Sequence, residues 1–320
     1  MIKFIFNSTE GRLAVITLVV FATMSILVPD RFLSPGNLTS MAFQFPEFAI
    51  LALAVTIAML TGGIDLSVVG AANLSAVVAA LFMSHFAVEG TGTGLLLVAI
   101  VISLCVGLST GLFNGILVAT FGLPPILATL GTGLIYTGLA IAMTGGSAVM
   151  GLPPALAWVG NGTFLGIPVP LFIFAVLATA LGWILKRTAF GLKTRMFGAN
   201  PLAARYAAMD TGRLLLKVYA LSGVLSAIAG IIVMSRANSA KADYGSSYLL
   251  LAVLIAVLGG INPYGGYGRI IGVVLAVLSM QFLSSGLNLL QITNFAREMI
   301  WGLLLITVML INLVSFQRKI

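Results

Sequence analysis

Histidine and cysteine occur once each in 320 residues, as His85 and Cys105, and charged side chains make up only 8% of the chain. One histidine cannot build a histidine-based triad or a multi-histidine metal site. One cysteine cannot close an intramolecular disulfide or form a thiolate cluster, and inside an apolar run its expected role is packing. No glycine-rich loop ends in Gly-Lys-Ser/Thr, so the P-loop route to ATP is closed. No catalytic set can be assembled from what remains, and neither a cofactor nor a metal is expected in this chain. What the chain has is apolar surface: 60% of residues are hydrophobic. A soluble domain carries about a quarter charged residues, so the composition defines a polytopic membrane protein.

Ten segments approach the roughly 20 apolar residues that cross a bilayer. They are 13–29, 41–60, 66–84, 94–119, 123–143, 168–185, 214–235, 247–261, 269–290 and 296–315, the eighth being short. The first ends at Val28-Pro29-Asp30 without a small-residue cleavage pattern, so it is expected to be a retained span. Backbone polar groups find almost no water at membrane depth, which makes the expected fold one all-α transmembrane domain over 1–320.

Lys and Arg set the orientation. With the N-terminus inside, twelve of the sixteen fall on the cytoplasmic side: Lys3, Arg12, the seven from Lys186 to Lys217, Arg269, Arg318 and Lys319. The other four, Arg31, Arg236, Lys241 and Arg297, lie near Asp30, Asp243 or Glu298 in sequence. Both termini are then cytoplasmic. The net charge of +8 reports this topology and not a nucleic-acid partner, because the basic residues sit in short loops. Two connections are long: 144–167, nearly uncharged and expected to be periplasmic, and 186–213, strongly basic and expected to be a cytoplasmic docking surface.

One apolar cassette occurs twice, as LAVTIAMLTGGI at 53–64 and LAVLIAVLGGI at 251–261. Gly62 and Gly63, and later Gly259 and Gly260, can end a helix and let backbones approach closely. Asp65 or Ser67 is positioned to cap the helix that restarts after the first break. Asn262 and Pro263 extend the second. Both cassettes follow even-numbered spans and face one side, so they are one local solution used twice rather than an inverted repeat. Gly107, Gly111 and Gly115, and Gly131, Gly133 and Gly138, read as small-residue packing faces.

Ionisable groups within spans mark transport sites or their supports. Glu47 and Asp65 are the candidates, Glu47 reading as an interfacial acid beside Pro46. Gln44, Asn73, Asn114, Gln281 and Asn288 add amides that can bind a neutral, hydroxyl-rich solute or join helices.

Four stretches, TGGIDLSV at 61–68, Asn114-Gly115 followed by LPPILATLGT at 123–132, FGANPLAA at 197–204 and LGGINPYGGYG at 258–268, resemble in order and spacing the permease subunits of bacterial ribose-type ABC importers. That family carries simple sugars and autoinducer-2. The resemblance implies a type II importer bundle in the cell inner membrane, with cytoplasmic ATP-binding subunits holding ATP and Mg, a second permease copy or paralogue, and a periplasmic solute-binding protein. It also implies a coupling helix at about 200–209, entered through Gly198 and Asn200. The residues agree, since Asn200-Pro201 is a strong helix start. Ala203, Ala204, Ala207 and Ala208 would then form a slim docking face. Gly62, Gly63, Asp65, Ser67, Asn73, Asn114, Gly259, Gly260, Asn262 and Asn288 are the expected pathway and hinge positions. The chain departs from the family in having Val69 after GGIDLSV and Asn262-Pro263 with Arg269 in the later cassette, which weakens transfer of any member's solute preference. The rival readings are a proton-coupled secondary transporter using Asp65 or Glu47, and an ABC permease for branched-chain amino acids or nucleosides.

Overall fold

The computed structural model describes residues 9–86 and 93–317. Lys3, Arg318 and Lys319, used above for sidedness, lie outside the described residues. The fold is all-α apart from one two-stranded turn. In chain order the helices are α1 (Thr9–Leu27), α2 (Pro29–Phe32), α3 (Pro35–Met59), α4 (Val68–Phe86), α5 (Thr93–Ala119), α6 (Pro125–Thr144) and α7 (Pro154–Asn161). After the strands β1 (Thr163–Phe164) and β2 (Ile167–Pro168) come α8 (Val169–Arg187), α9 (Ala189–Ala199), α10 (Pro201–Tyr206) and α11 (Thr211–Ala237). The chain continues through α12 (Tyr248–Leu258), α13 (Ile270–Leu289) and α14 (Asn294–Gln317).

Each of the ten expected segments is a helix, and eight among the described residues are long and apolar enough to cross a membrane. The eighth segment is short, as its sequence predicts: α12 has 11 residues. Serine or proline starts several helices. Ser34 accepts from Asn37 N at the head of α3, with Pro35 in the first turn.

The centre of the bundle is α3. Every side chain from Phe45 to Met59 is buried, including Pro46 and Glu47. Lipid tails are as apolar as these side chains, so close fit rather than the hydrophobic effect holds such helices together. Glycine provides that fit along α5 and α11. A Cβ on Gly111 would lie 2.2 Å from Tyr219 O, and one on Gly223 would lie 2.0 Å from Gly107 O. The packing role expected for Gly107 and Gly111 is therefore real, whereas Gly131 and Gly138 face open space. Apolar side chains such as Leu97, Val101, Leu134 and Trp183 are exposed on the outside of α5, α6 and α8. Cys105 is exposed on that surface, not packed in the core as its apolar surroundings imply. Spacing alone cannot tell a lipid-facing position from a buried one when both are apolar.

The two long connections are both structured. Residues 144–167 hold α7 and the β1–β2 turn, and Val149 bridges Ala240. Residues 186–213 hold α9 and α10.

Candidate functional site

The three glycine motifs, which lie far apart in sequence, meet at one end of the bundle. After α3 the chain turns at Gly62, with φ of +79°, and after α12 it turns at Gly260, with φ of +80°. The cassettes thus use the same left-handed C-terminal cap, but one residue out of step, because Thr61 lengthens the first. Between and against them lies the end of α9. Gly266 N donates to Leu60 O at 3.0 Å. A Cβ on Gly198 would stand 2.0 Å from that same Leu60 oxygen and 2.5 Å from Gly266 N. Gly265, with φ of +91°, has no room either, since its Cβ would lie 2.7 Å from Gly62 N. This glycine knot joins 60–63, 198–199 and 262–266 backbone to backbone.

Asn262 builds the knot's outer loop. Its Nδ2 donates to Gly265 O at 2.9 Å and its Oδ1 accepts from Tyr264 N at 3.2 Å. Arg269, at the loop's end, bonds Glu10 at 2.9 Å and ties the start of α1 to the same face. Gly259 is a packing residue: a Cβ there would meet Val273 Cα at 2.7 Å.

Directly inside the knot runs a buried polar chain. Asp65, 1% exposed, accepts from Ser67 N at 3.0 Å and Ser67 Oγ at 2.7 Å through Oδ1, and from Ser222 Oγ at 2.7 Å through Oδ2. Asn114 Nδ2 donates to Ser67 Oγ at 2.7 Å, and Thr132 Oγ1 donates to Asn114 Oδ1 at 2.6 Å. Tyr136 closes the line by donating to Thr110 O at 2.9 Å. The chain links α4, α5, α6 and α11 through the break. Among the described residues no cation contacts Asp65. Its carboxylate bonds Ser67 N just ahead of α4 and two hydroxyls, so it acts as a bracket between segments more than as a cap. Ser67, expected as the alternative cap, uses its hydroxyl in the chain instead. Gly63 lies under Tyr219 and Pro125, where its Cβ would fall 2.7 Å from the Tyr219 hydroxyl.

The helix expected at about 200–209 is shorter than its sequence implies. Asn200 Oδ1 accepts from Ala203 N at 2.9 Å and Pro201 fills the first turn, but α10 ends at Tyr206. Ala207 caps it, and Ala208 turns left-handed with φ of +53°. The four alanines therefore share no face. Ala204 is buried in the core cluster, while Leu202 and Tyr206 are 60% and 84% exposed. The outward surface beside the knot mixes apolar and aromatic side chains, Leu202 and Tyr206 from α10, Leu192 and Met196 from α9, Tyr264 and Tyr267 from the loop, with the exposed bases Lys193 and Arg205.

Two expected pathway residues lie elsewhere. Asn73 donates to Ala242 O and Tyr244 O, both at 2.9 Å, and so fastens the 238–247 loop to α4. Asn288 is exposed near the end of α13 away from the knot. The structure also pairs residues that sequence distance hides. Arg236, whose nearest acid in sequence is Asp243, bonds Glu47 at 2.6 Å, and Tyr248 donates to Glu47 Oε2 at 3.0 Å. Asp243 pairs with Lys241 instead. Glu47 is thus a buried ion-pair member.

A multi-pass helical bundle with a central buried helix, two broken helices and a polar chain at the break is a membrane transport protein of the permease class. The chain belongs to the family described as branched-chain amino acid transport system / permease component, whose model matches residues 37–311. It is 37% identical over 293 residues to the ribose import permease protein RbsC of Bacillus subtilis, covering 90% of this chain and 88% of that protein. It is 34% identical over 314 residues to the autoinducer 2 import system permease protein LsrD of Enterobacter sp. strain 638, covering 95% and 94%. LsrD of Yersinia enterocolitica is 35% identical over 297 residues, covering 91% and 88%. No solved structure matches.

Proposed function

We propose that this chain is the membrane-spanning permease subunit of an ATP-driven importer for a simple sugar or sugar-like solute, lying in the cell inner membrane with both termini and the 186–213 segment on the cytoplasmic side. The observation that carries the reading is the glycine knot. It gives the exposed α9–α10 surface a direct backbone connection to both broken helices, through Gly198, Leu60 and Gly266. A partner ATPase that binds Leu202 and Tyr206 would push on that surface, and the push would reach the ends of α3 and α12. The bundle then opens to alternate sides by a rigid shift of packed helices. ATP and Mg belong to that partner, a second permease copy or paralogue completes the pathway, and a periplasmic binding protein delivers the solute.

Ribose and autoinducer 2 appear in the names of the relatives cited above, which favours a small hydroxyl-rich solute over a branched-chain amino acid despite the family's wider description. The ion pair that holds Glu47 and the hydroxyls that hold Asp65 count against either acid as a freely exchanging proton site. Reconstitution into proteoliposomes with its ATP-binding partners is the test. ATP-dependent accumulation of a labelled sugar is expected, and gradient-driven uptake by the permease alone would overturn the reading.

A further inference from the structure

The connection between α6 and α8 presents apolar side chains where a water-facing loop would carry polar ones. No charged residue occurs between Glu89 and Lys186, so this connection holds none. One face of α7 is pinned to the end of α11: Leu156 is fully buried, Ser235 Oγ donates to Leu156 O, and a Cβ on Gly160 would lie 2.6 Å from Arg236 N. Trp158 is on the opposite face and 54% exposed. Its indole covers Gly162 at the entry to β1, where a Cβ would fall 2.6 Å from Trp158 Cδ1.

Phe164 and Ile167 pair across the two strands and so share a face. Both are exposed, and the Phe164 ring packs on Phe172 of α8 with centroids 5.5 Å apart. Leu165 and Gly166 make the turn, with φ of +52° and +77°. A two-residue turn that is left-handed at both positions favours Asn or Asp ahead of Gly, yet here it holds a leucine that is 87% exposed. In water that leucine gains nothing to offset its conformation.

The length of α8 says what covers these side chains. Its uncharged part, Val169 to Leu185, rises about 25 Å at 1.5 Å per residue and ends in Lys186 and Arg187. A hydrocarbon core is about 30 Å thick, so with the two bases at one surface the helix stops about 5 Å short of the other. Residues 163–168 lie in that gap. Their backbone is paired, and Val169 N donates to Gly162 O at 3.0 Å. The turn's own polar groups exclude a place deep in the hydrocarbon. An apolar, aromatic hairpin beside an exposed tryptophan fits the boundary between headgroups and acyl chains.

We propose that the β1–β2 hairpin and Trp158 form an interfacial anchor whose partner is the lipid surface. Phe164, Leu165 and Ile167 enter the acyl boundary of the leaflet opposite Lys186 and Arg187, and Trp158 lies at the headgroups. The proposal requires only that the bundle crosses a bilayer, whichever solute it carries.

The test uses the full chain in lipid nanodiscs. Trp158→Phe, Trp183→Phe and Trp301→Phe remove the three tryptophans, and Phe164→Trp then puts the single fluorophore on the hairpin. Phosphatidylcholine brominated near the headgroup end of its acyl chains is expected to quench it at least twofold, and aqueous iodide only weakly. Leu165→Asp keeps good turn chemistry, as Asp-Gly, but charges the tip. Bromolipid quenching is then expected to fall at least twofold and iodide quenching to rise, with an unchanged gel-filtration profile. Should Phe164→Trp fail to fold, Trp158 alone, with Trp183→Phe and Trp301→Phe, gives the same two readings. Strong iodide quenching without bromolipid quenching means that the hairpin stands in water and overturns the anchor. Iodide quenching that disappears only when a periplasmic binding protein is added assigns the face to a protein and also overturns it. Bromolipid quenching left unchanged by Leu165→Asp would remove the turn from the anchor. None of these readings involves uptake, so their failure leaves the importer reading standing, and failure of ATP-driven uptake leaves the anchor standing.

Discussion

Gly266 donates its backbone N–H to the carbonyl oxygen of Leu60 at 3.0 Å, so the loop after one broken helix is bonded to the end of the other. Gly198 lies against both groups with no space for a side chain. Gly198→Ala is therefore expected to force the knot apart and to cost about 1–3 kcal/mol through overpacking. Thermal unfolding in detergent measures this, and a wild-type midpoint would refute the knot. Gly131→Ala is the internal control. A Cβ there meets nothing within 4 Å, and helix propensity predicts a gain of about 0.5–1 kcal/mol.

Asp65 has three donors and no cation among its described partners. In Asp65→Asn the amide oxygen can keep the Ser67 bonds, while the Ser222 hydroxyl rotates to accept from the new NH₂ group. That variant is expected to fold with a nearly unchanged melting temperature. Asp65→Ala strands the same donors in a buried site and is expected to lose about 1–3 kcal/mol. Loss of uptake by the well-folded Asn variant would assign the carboxylate's charge a part in transport.

Glu47 and Arg236 join α3 to the end of α11, and Tyr248 adds α12. Glu47→Ala leaves a largely buried guanidinium without its counter-ion, with an expected loss of about 1–3 kcal/mol. Replacing both members, as Glu47→Ala with Arg236→Met, should recover part of that loss, because the guanidinium is no longer left as a stranded charge. A double-mutant cycle on melting temperatures reads the coupling. Strict additivity would mean that the pair contributes nothing.

On the α10 surface, Leu202→Glu changes an outward side chain and is expected to leave the permease folded while lowering ATP-driven uptake at least tenfold. Ala204→Glu places a carboxylate in the core cluster and is expected to disrupt folding itself. Uptake assays run beside a melting curve separate the two effects. Normal uptake by the Leu202→Glu variant would remove α10 from the coupling surface.

Much of this architecture is legible in the sequence. Ten apolar runs became ten helices because segment length at membrane depth leaves the backbone few alternatives. The Asn200-Pro201 start was readable from local chemistry alone. Its stop was not, because Ala207 and Ala208 are good helix formers, yet Ala208 turns left-handed and Met209 N bonds back to Ala204 O. The same limit explains Asn73, whose two carbonyl partners lie 169 and 171 positions away. Arg236 has a nearby acid in sequence but points to a distant one in space. Gln44 and Gln281 stand out as polar, but nothing in their spacing tells that both lie beside Glu47 and Arg236.

The burial of α3 has a further consequence, for how the protein responds to its bilayer. Helices such as α5, α6 and α8 present apolar side chains to lipid and must tilt or distort when hydrocarbon thickness changes. From Phe45 to Met59, α3 is encased by protein and meets almost no lipid. A thinner or thicker membrane then acts on a flexible outer ring around a fixed axle. The ends of that axle are the Glu47–Arg236 ion pair and the glycine knot, so the distance between them is insulated from the membrane's own dimensions.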